Sequence, residues 1–395
     1  MIDAANAAVK SALPSERNRE GFAYRGSPQL SEAIVLLSIV TQFAYNLASL
    51  KLVQTSAEVM LLAVLLYATT TVLFGRWEMV LLLLLVAMTG VSVAINPLPV
   101  VVTDAKQFGL ATLTLVYFSR VRFRSALILP AVAVSVILIV LARIAPGVVA
   151  PFVSLAKDPD FNESRFGGLF LNAHFNAYFL AVAFIYYGYR VRLRGIGTAA
   201  IFLTASKFVL VAYLASVAAR FKVFQIISRY RLLLLALLVL AGAVIIRNQD
   251  SIKVFLNAGV LNSAAVILEQ ALDERFHQML LNPFPGDYLA IVSDVKLSYN
   301  ALSISNEIAL FAMCIQGGTA LALVYLTVLM RRTRYFRVFI AVSLFHYGFV
   351  LSPLIVYMLV AYSHEISALR ARAAIAKARV APHSLAASAS APAYA

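Results

Sequence analysis

The chain has 395 residues, of which 62% are hydrophobic and 13% charged, with a net charge of +15 and a mean hydropathy of +0.86. A soluble domain cannot keep that much apolar surface away from water, so these values exclude a soluble globular protein and point to an integral membrane protein. The basic excess marks where loops lie relative to the bilayer and does not indicate a nucleic-acid partner.

Residues 1–29 read as a cytoplasmic tail. Apolar runs then follow one another, each long enough to cross a hydrocarbon core of roughly 30 Å as a helix. They fall near 30–50, 57–74, 77–95, 102–118, 125–145 and 168–189, with later ones near 231–246 and 304–329. Alternating segments of the transmembrane-barrel type do not occur. The first run contains Glu32 and lacks a compact small-residue cleavage site, so it is expected to be a retained span and not a signal peptide.

Short loops rich in Lys and Arg stay on the cytoplasmic side. Such clusters lie at 75–77, 119–124, 190–194, 220–231 and 331–337, with another in the tail. The first six runs alternate correctly from a cytoplasmic amino terminus. Two apolar stretches, 196–219 and 338–366, have basic clusters on both sides. Each is expected to be a hairpin of two short helices, which keeps both clusters inside. The turns are expected near Ser206–Lys207 and Ser352–Pro353, where proline suits a helix start. The predicted fold class is therefore all-α and polytopic, with about 12 transmembrane segments and both termini cytoplasmic. Residues 30–366 are expected to form the transmembrane domain, 146–167 and 247–303 its extracytoplasmic segments, and 367–395 a disordered tail rich in Ala, Ser and Pro.

The single cysteine, Cys314, cannot form an intramolecular disulfide or a thiolate metal cluster. The sequence has no glycine-rich phosphate loop, zinc-binding histidine pair or nucleophile elbow, and the expectation is chemistry without metal or cofactor.

The stretch 162–184, NESRFGGLFLNAHFNAYFLAVAF, starts polar and continues as an apolar helix. By the orientation above, its amino-terminal end faces the outer leaflet, where the unpaired N–H groups and the positive end of the dipole suit a phosphate. Arg165 adds a permanently charged planar fork just before the helix. Asn172 and Asn176 are four residues apart and share a face that could line a cavity, whereas His174 points elsewhere. The alternative is that Arg165 snorkels to headgroups and the asparagines bridge helices.

In the outer segment, residues 262–280 read as an amphipathic helix that places Arg275 within its apolar stripe. Buried there, Arg275 requires an anionic partner, either a carboxylate or a lipid phosphate. Glu307 starts the next helix, where it suits the dipole and is also a candidate general base. Lys207 and His346 lie inside apolar stretches, where ionisable groups usually face a cavity or a partner; Lys207 at a hairpin tip would be a third cation. Phe284, Tyr288 and Tyr299 are further aromatic residues of this outer segment.

The string ESRFGGLFLNAHFNAYFLA resembles the R-x-x-G-x-F-x-x-x-x-N-x-x-A signature of the O-antigen ligase and Wzy polysaccharide polymerase superfamily. FLTASKFVL, ERFHQMLLNPFPGDY and SNEIALFAMCIQGG resemble its later motifs and occur in the same order. The resemblance covers roughly 162–350; it departs where members often carry proline before the asparagine, and where ligases carry a histidine at the position of Asn306–Glu307. That departure favours polymerase over ligase. The resemblance implies a GT-C-like fold in the bacterial inner membrane and an inverting, metal-independent glycosyltransferase. Such an enzyme moves a growing glycan from undecaprenyl pyrophosphate to the next lipid-linked repeat unit. Arg165, Arg275 and Glu307 would be catalytic; Asn172, His174, Asn176, Lys207 and His346 would bind substrate. The implied partners are an undecaprenyl-pyrophosphate-linked oligosaccharide, the bilayer and a chain-length regulator protein. The alternatives are a glycan ligase of the same fold and, in another class, a lipid-linked oligosaccharide flippase, which would line a central pathway with charge.

Overall fold

The computed structural model describes residues 27–47, 49–95, 98–156, 168–190, 194–219, 284–285, 309–345 and 349–389. Among these residues the chain is helical. In order, the helices are α1 (Pro28–Tyr45), α2 (Lys51–Thr70), α3 (Arg76–Ile95), α4 (Leu98–Arg120), α5 (Ile128–Ile144), α6 (Pro146–Ser154), α7 (Ala173–Arg190), α8 (Arg194–Leu203), α9 (Lys207–Ala218), α10 (Ala309–Arg332), α11 (Arg337–Ser343) and α12 (Pro353–Ala389). Short 3₁₀ turns occupy Gly168–Phe170 and Phe349–Leu351. An isolated bridge joins Leu47 and Ala156.

Helix α7 is the central element. Residues 175–186 are each no more than 6% exposed, and a helix apolar on every side belongs inside a bundle. Helices α8, α9 and α12 pack around it, α12 also packs on α4, and α10 packs on α3. The stacked rings of Tyr186 and Tyr362, 4.1 Å between centroids, and the edge contact of Phe175 with Phe349 at 5.0 Å show that α7 and α12 run in the same direction.

The outer surface of the bundle is apolar where it is exposed. In α2 and α3, Val59, Met60, Tyr67, Leu83 and Val86 are each more than half exposed. Water would penalise this arrangement, whereas lipid tails would not. By length and composition, α2 and α3 can each cross a membrane, and a third span is added if α5 and α6, bent by 116°, are taken together. These helices indicate membrane association. The run expected near 231–246 lies outside the described residues.

The basic clusters near 75–77, 119–124 and 331–337 gather at one end of the bundle. Glu78, at the start of α3, accepts from Arg120 at 2.9 Å and from Arg332, joining the ends of three helices with a side chain only 2% exposed. Arg331 stacks 4.5 Å from the Trp77 ring centroid. Tyr186 and Arg124 approach Glu365 at the same end. The amino-terminal ends of α4 and α7 therefore lie at the opposite end, together with α6, whose Val149 and Val153 pack with Leu47, Ala156 and Leu171 in a second, smaller core.

Two features of the broken segments are now explicit. The run 194–218 is interrupted at 204–206, where Ala205 takes a positive φ of 59° and lets the chain reverse. Gly197 lies six residues before the end of α8 and Tyr213 six residues after the start of α9. A Cβ on Gly197 would lie 2.9 Å from the Tyr213 hydroxyl and 2.7 Å from Phe184, so α8 and α9 run side by side in opposite directions against α7. In the second stretch, α12 starts at Pro353 as the sequence predicts, and α11 packs on α9. Helix α12 passes residue 367 and continues to Ala389, because alanine, arginine, leucine and lysine between 367 and 380 are strong helix formers.

Candidate functional site

The site is built where the break between α8 and α9 meets the first turn of α7. The approach to α7 is set by two left-handed residues, Gly168 at φ 58° and Leu171 at φ 53°. Glycine takes this conformation without strain; at Gly168 a side chain would also collide, since a Cβ would lie 2.6 Å from the Asn176 Nδ2 and 3.1 Å from the Ser135 carbonyl oxygen.

Asn172 is the amino-terminal cap of α7. Its Oδ1 accepts from the Phe175 backbone N–H at 2.9 Å, and its carbonyl accepts from the Asn176 N–H at 2.9 Å. A cap residue precedes the helix, and the Asn172 oxygen is committed to the backbone. Asn176 is fully buried and faces α5. Its Oδ1 accepts from the Ser135 hydroxyl at 2.9 Å, while its Nδ2 has no hydrogen-bond partner. An orphaned buried donor is costly unless something accepts from it.

His174, the second residue of α7, is 9% exposed, and its Nδ1 lies 3.0 Å from the Ser206 Oγ. Ser206 is the residue before α9. Because its hydroxyl is engaged with His174, it makes no side-chain cap, and α9 begins uncapped on Lys207. Lys207 is exposed and makes no ion pair among the described residues. A lysine in the first turn of a helix opposes the dipole, so it sits there at an electrostatic cost. The bond between His174 and Ser206 thus brings together two helix amino-terminal ends, each carrying about half a positive charge, and places an ammonium group on one of them.

Nearby, Arg143 in the last turn of α5 donates to the Leu203 carbonyl at 2.9 Å and closes the carboxyl-terminal end of α8. The break in the second stretch is adjacent: Phe349 touches Phe175 and Tyr178, and the Tyr178 hydroxyl lies 2.7 Å from the Ser343 Oγ. Leu310, at the start of α10, donates to the Leu344 carbonyl at 3.1 Å. The Ser352 hydroxyl, just before α12, has no partner.

Of the residues singled out in the sequence, the structure brings His174 together with the Ser206–Lys207 turn and places Asn172 and Asn176 on the same first turns of α7. Arg165, Arg275, Glu307 and His346 lie outside the described residues, as do Tyr288 and Tyr299; Phe284 is 49% exposed. Ser135, Ser206 and Arg143 were not assigned to the site from sequence. For Arg143 a signal existed: it is a lone arginine at the outer end of a predicted span, where the charge rule disfavours it. Among the described residues no group of three or more His, Cys, Asp or Glu could hold a metal ion. Comparison of the chain with protein-family models, curated proteins and solved structures gives no match in any of the three.

Proposed function

We propose that the chain is a polymerase of lipid-linked polysaccharide repeat units. It would transfer the growing glycan from undecaprenyl pyrophosphate to the next lipid-linked unit at the outer face of a bacterial inner membrane. The observation that carries this reading is the meeting of the α7 and α9 amino-terminal ends at His174 and Ser206, with Lys207 at the uncapped end. Two such ends and an ammonium group suit a pyrophosphate at a bilayer boundary.

In this mechanism the acceptor hydroxyl oxygen attacks the anomeric carbon. The bond from that carbon to the phosphate oxygen breaks, and the pyrophosphate leaves with the electron pair. The positive helix ends, Lys207, Arg165 and Arg275 stabilise its growing charge. The Ser135–Asn176 hydrogen bond and the capped turn before it fix the position of the α7 end. The acceptor proton passes to a base, with Glu307, His346 and His174 the candidates; His174 lies beside Ser206. The wider arrangement of about 12 spans with cytoplasmic termini belongs to this proposal and rests on the charge pattern.

The test is incubation of the purified protein with undecaprenyl-pyrophosphate-linked repeat units. A ladder of lengthened products is expected, and it should be lost in Arg165→Ala and Arg275→Ala and rescued poorly by lysine, which lacks the planar fork. Transfer of single glycans to another acceptor, without lengthening, would instead identify a ligase. Normal ladders from both alanine variants would rule out the site.

A further inference from the structure

A second polar site lies away from the His174 turn, in a cleft between α3, α4 and α10. Its lining includes Thr89 and Ser92 from α3, Asp104 from α4, and Gln316 and Gly317 from α10. Asp104 is 9% exposed and has neither a hydrogen bond nor an ion pair among the described residues. Asp104 is among the residues that line the cleft, and the space has room for a water-sized occupant only. The neighbouring helix α10 is interrupted here: Gly318 has φ 75° and ψ 151°, values outside the helical region.

The cations nearest in sequence do not serve Asp104. Lys106, two residues along, turns to α2 and pairs with Glu58 at 2.7 Å. Arg120 and Arg332 are bound to Glu78 at the other end of the bundle, about 24 Å away along α4. His364 and Glu365 of α12 also lie at that far end, beside the α4 carboxyl terminus. A carboxylate buried to this degree cannot remain charged without a compensating cation.

We propose that this cleft binds one small monovalent cation, sodium or a proton, with Asp104 as its anionic ligand. The donor set selects the charge. One carboxylate with two hydroxyls and an amide oxygen balances a single positive charge, whereas a divalent ion requires more carboxylates. A helix interrupted beside the cleft can also offer backbone carbonyls, as broken membrane helices do around coupling ions. The site is independent of the glycan-transfer reading, because it uses none of the residues of the His174 turn.

The test uses the purified full-length protein in detergent. Binding of radioactive sodium should saturate near one ion per chain, withstand competition by choline, vanish in Asp104→Asn, and weaken roughly fivefold in Gln316→Leu, which leaves the carboxylate in place. A proton as occupant gives a different pattern. Sodium then does not bind, and wild-type thermal stability, full while the carboxyl is protonated, declines as the pH rises above the ordinary carboxylate range, a decline absent from Asp104→Asn. If Asp104→Asn does not accumulate in the membrane, Gln316→Leu and Thr89→Val decide the sodium arm, and Asp104→Glu, by displacing the decline in pH, decides the other. Absence of saturable sodium binding, together with the same pH response in wild type and the Asp104 variants, overturns the proposal.

Discussion

The His174 Nδ1 and the Ser206 Oγ meet at 3.0 Å, joining the first turn of α7 to the residue before α9. This contact deprives α9 of its serine cap and leaves Lys207 at an uncapped end. Under the proposed function, local stability is given up at the position where the anion would bind.

Replacing His174 should therefore impair activity more than stability. His174→Ala is expected to reduce polymer formation at least tenfold, because both a candidate base and the tether of the α9 end are lost. Ser206→Ala, which removes one neutral hydrogen bond, should cost about fivefold. Initial rates of ladder formation at matched protein levels measure both, and equal rates for wild type and His174→Ala would remove His174 from the site.

Lys207 gives a sharper test, because stability and function should move in opposite directions. Lys207→Glu complements the helix dipole and should stabilise the protein by about 0.3–1 kcal/mol while abolishing activity. Lys207→Arg should keep most of the activity. Thermal unfolding in detergent and the product ladder report the two effects separately; an active glutamate variant would show that the ammonium group has no role in binding.

Gly168→Ala combines a positive φ with a collision against Asn176 and the Ser135 carbonyl. A cost of roughly 1–3 kcal/mol is expected, read as a lower unfolding midpoint. The neighbouring Leu169→Ala substitution, at a half-buried position of the same turn, provides the comparison. If Gly168→Ala were no more destabilising than Leu169→Ala, the tight approach before α7 would not be needed.

At the opposite end, Glu78→Ala leaves Arg120 and Arg332 without their shared partner. Both arginines retain some access to water, so the loss should fall at about 2–4 kcal/mol, toward the lower end for a buried pair. Chemical denaturation of the purified protein measures it. Arg143→Ala, which removes only a cap on α8, should cost less than about 1 kcal/mol.

Much of the helical framework was legible in advance. The apolar runs near 30–50, 77–95 and 102–118 appear as α1, α3 and α4, because a run long enough to span lipid has few alternatives to a helix. The interruption at Ser206–Lys207 was legible because basic clusters flank both sides of an apolar stretch too short to be crossed twice by straight helices. The role of Asn172 was not. A spacing of four residues suggests a shared face, and whether the first residue lies inside the helix or caps it depends on where the preceding left-handed turn ends. The tail was read from composition as disordered, while its local propensity continues α12.

What the sequence determined by itself is the solvent and the element type: residues this apolar must avoid water, and backbone groups placed in lipid must bond within a helix. It also placed the charge clusters and the chain breaks, which depend on neighbours in sequence. Tertiary structure alone decided which distant groups meet. His174 and Ser206 are 32 residues apart, Glu78 and Arg332 are 254 apart, and Asp104 and Gln316 line one cleft from different helices. Such contacts depend on the direction and rotation of packed helices, which are set by the summed fit of many side chains and are not encoded in any one stretch.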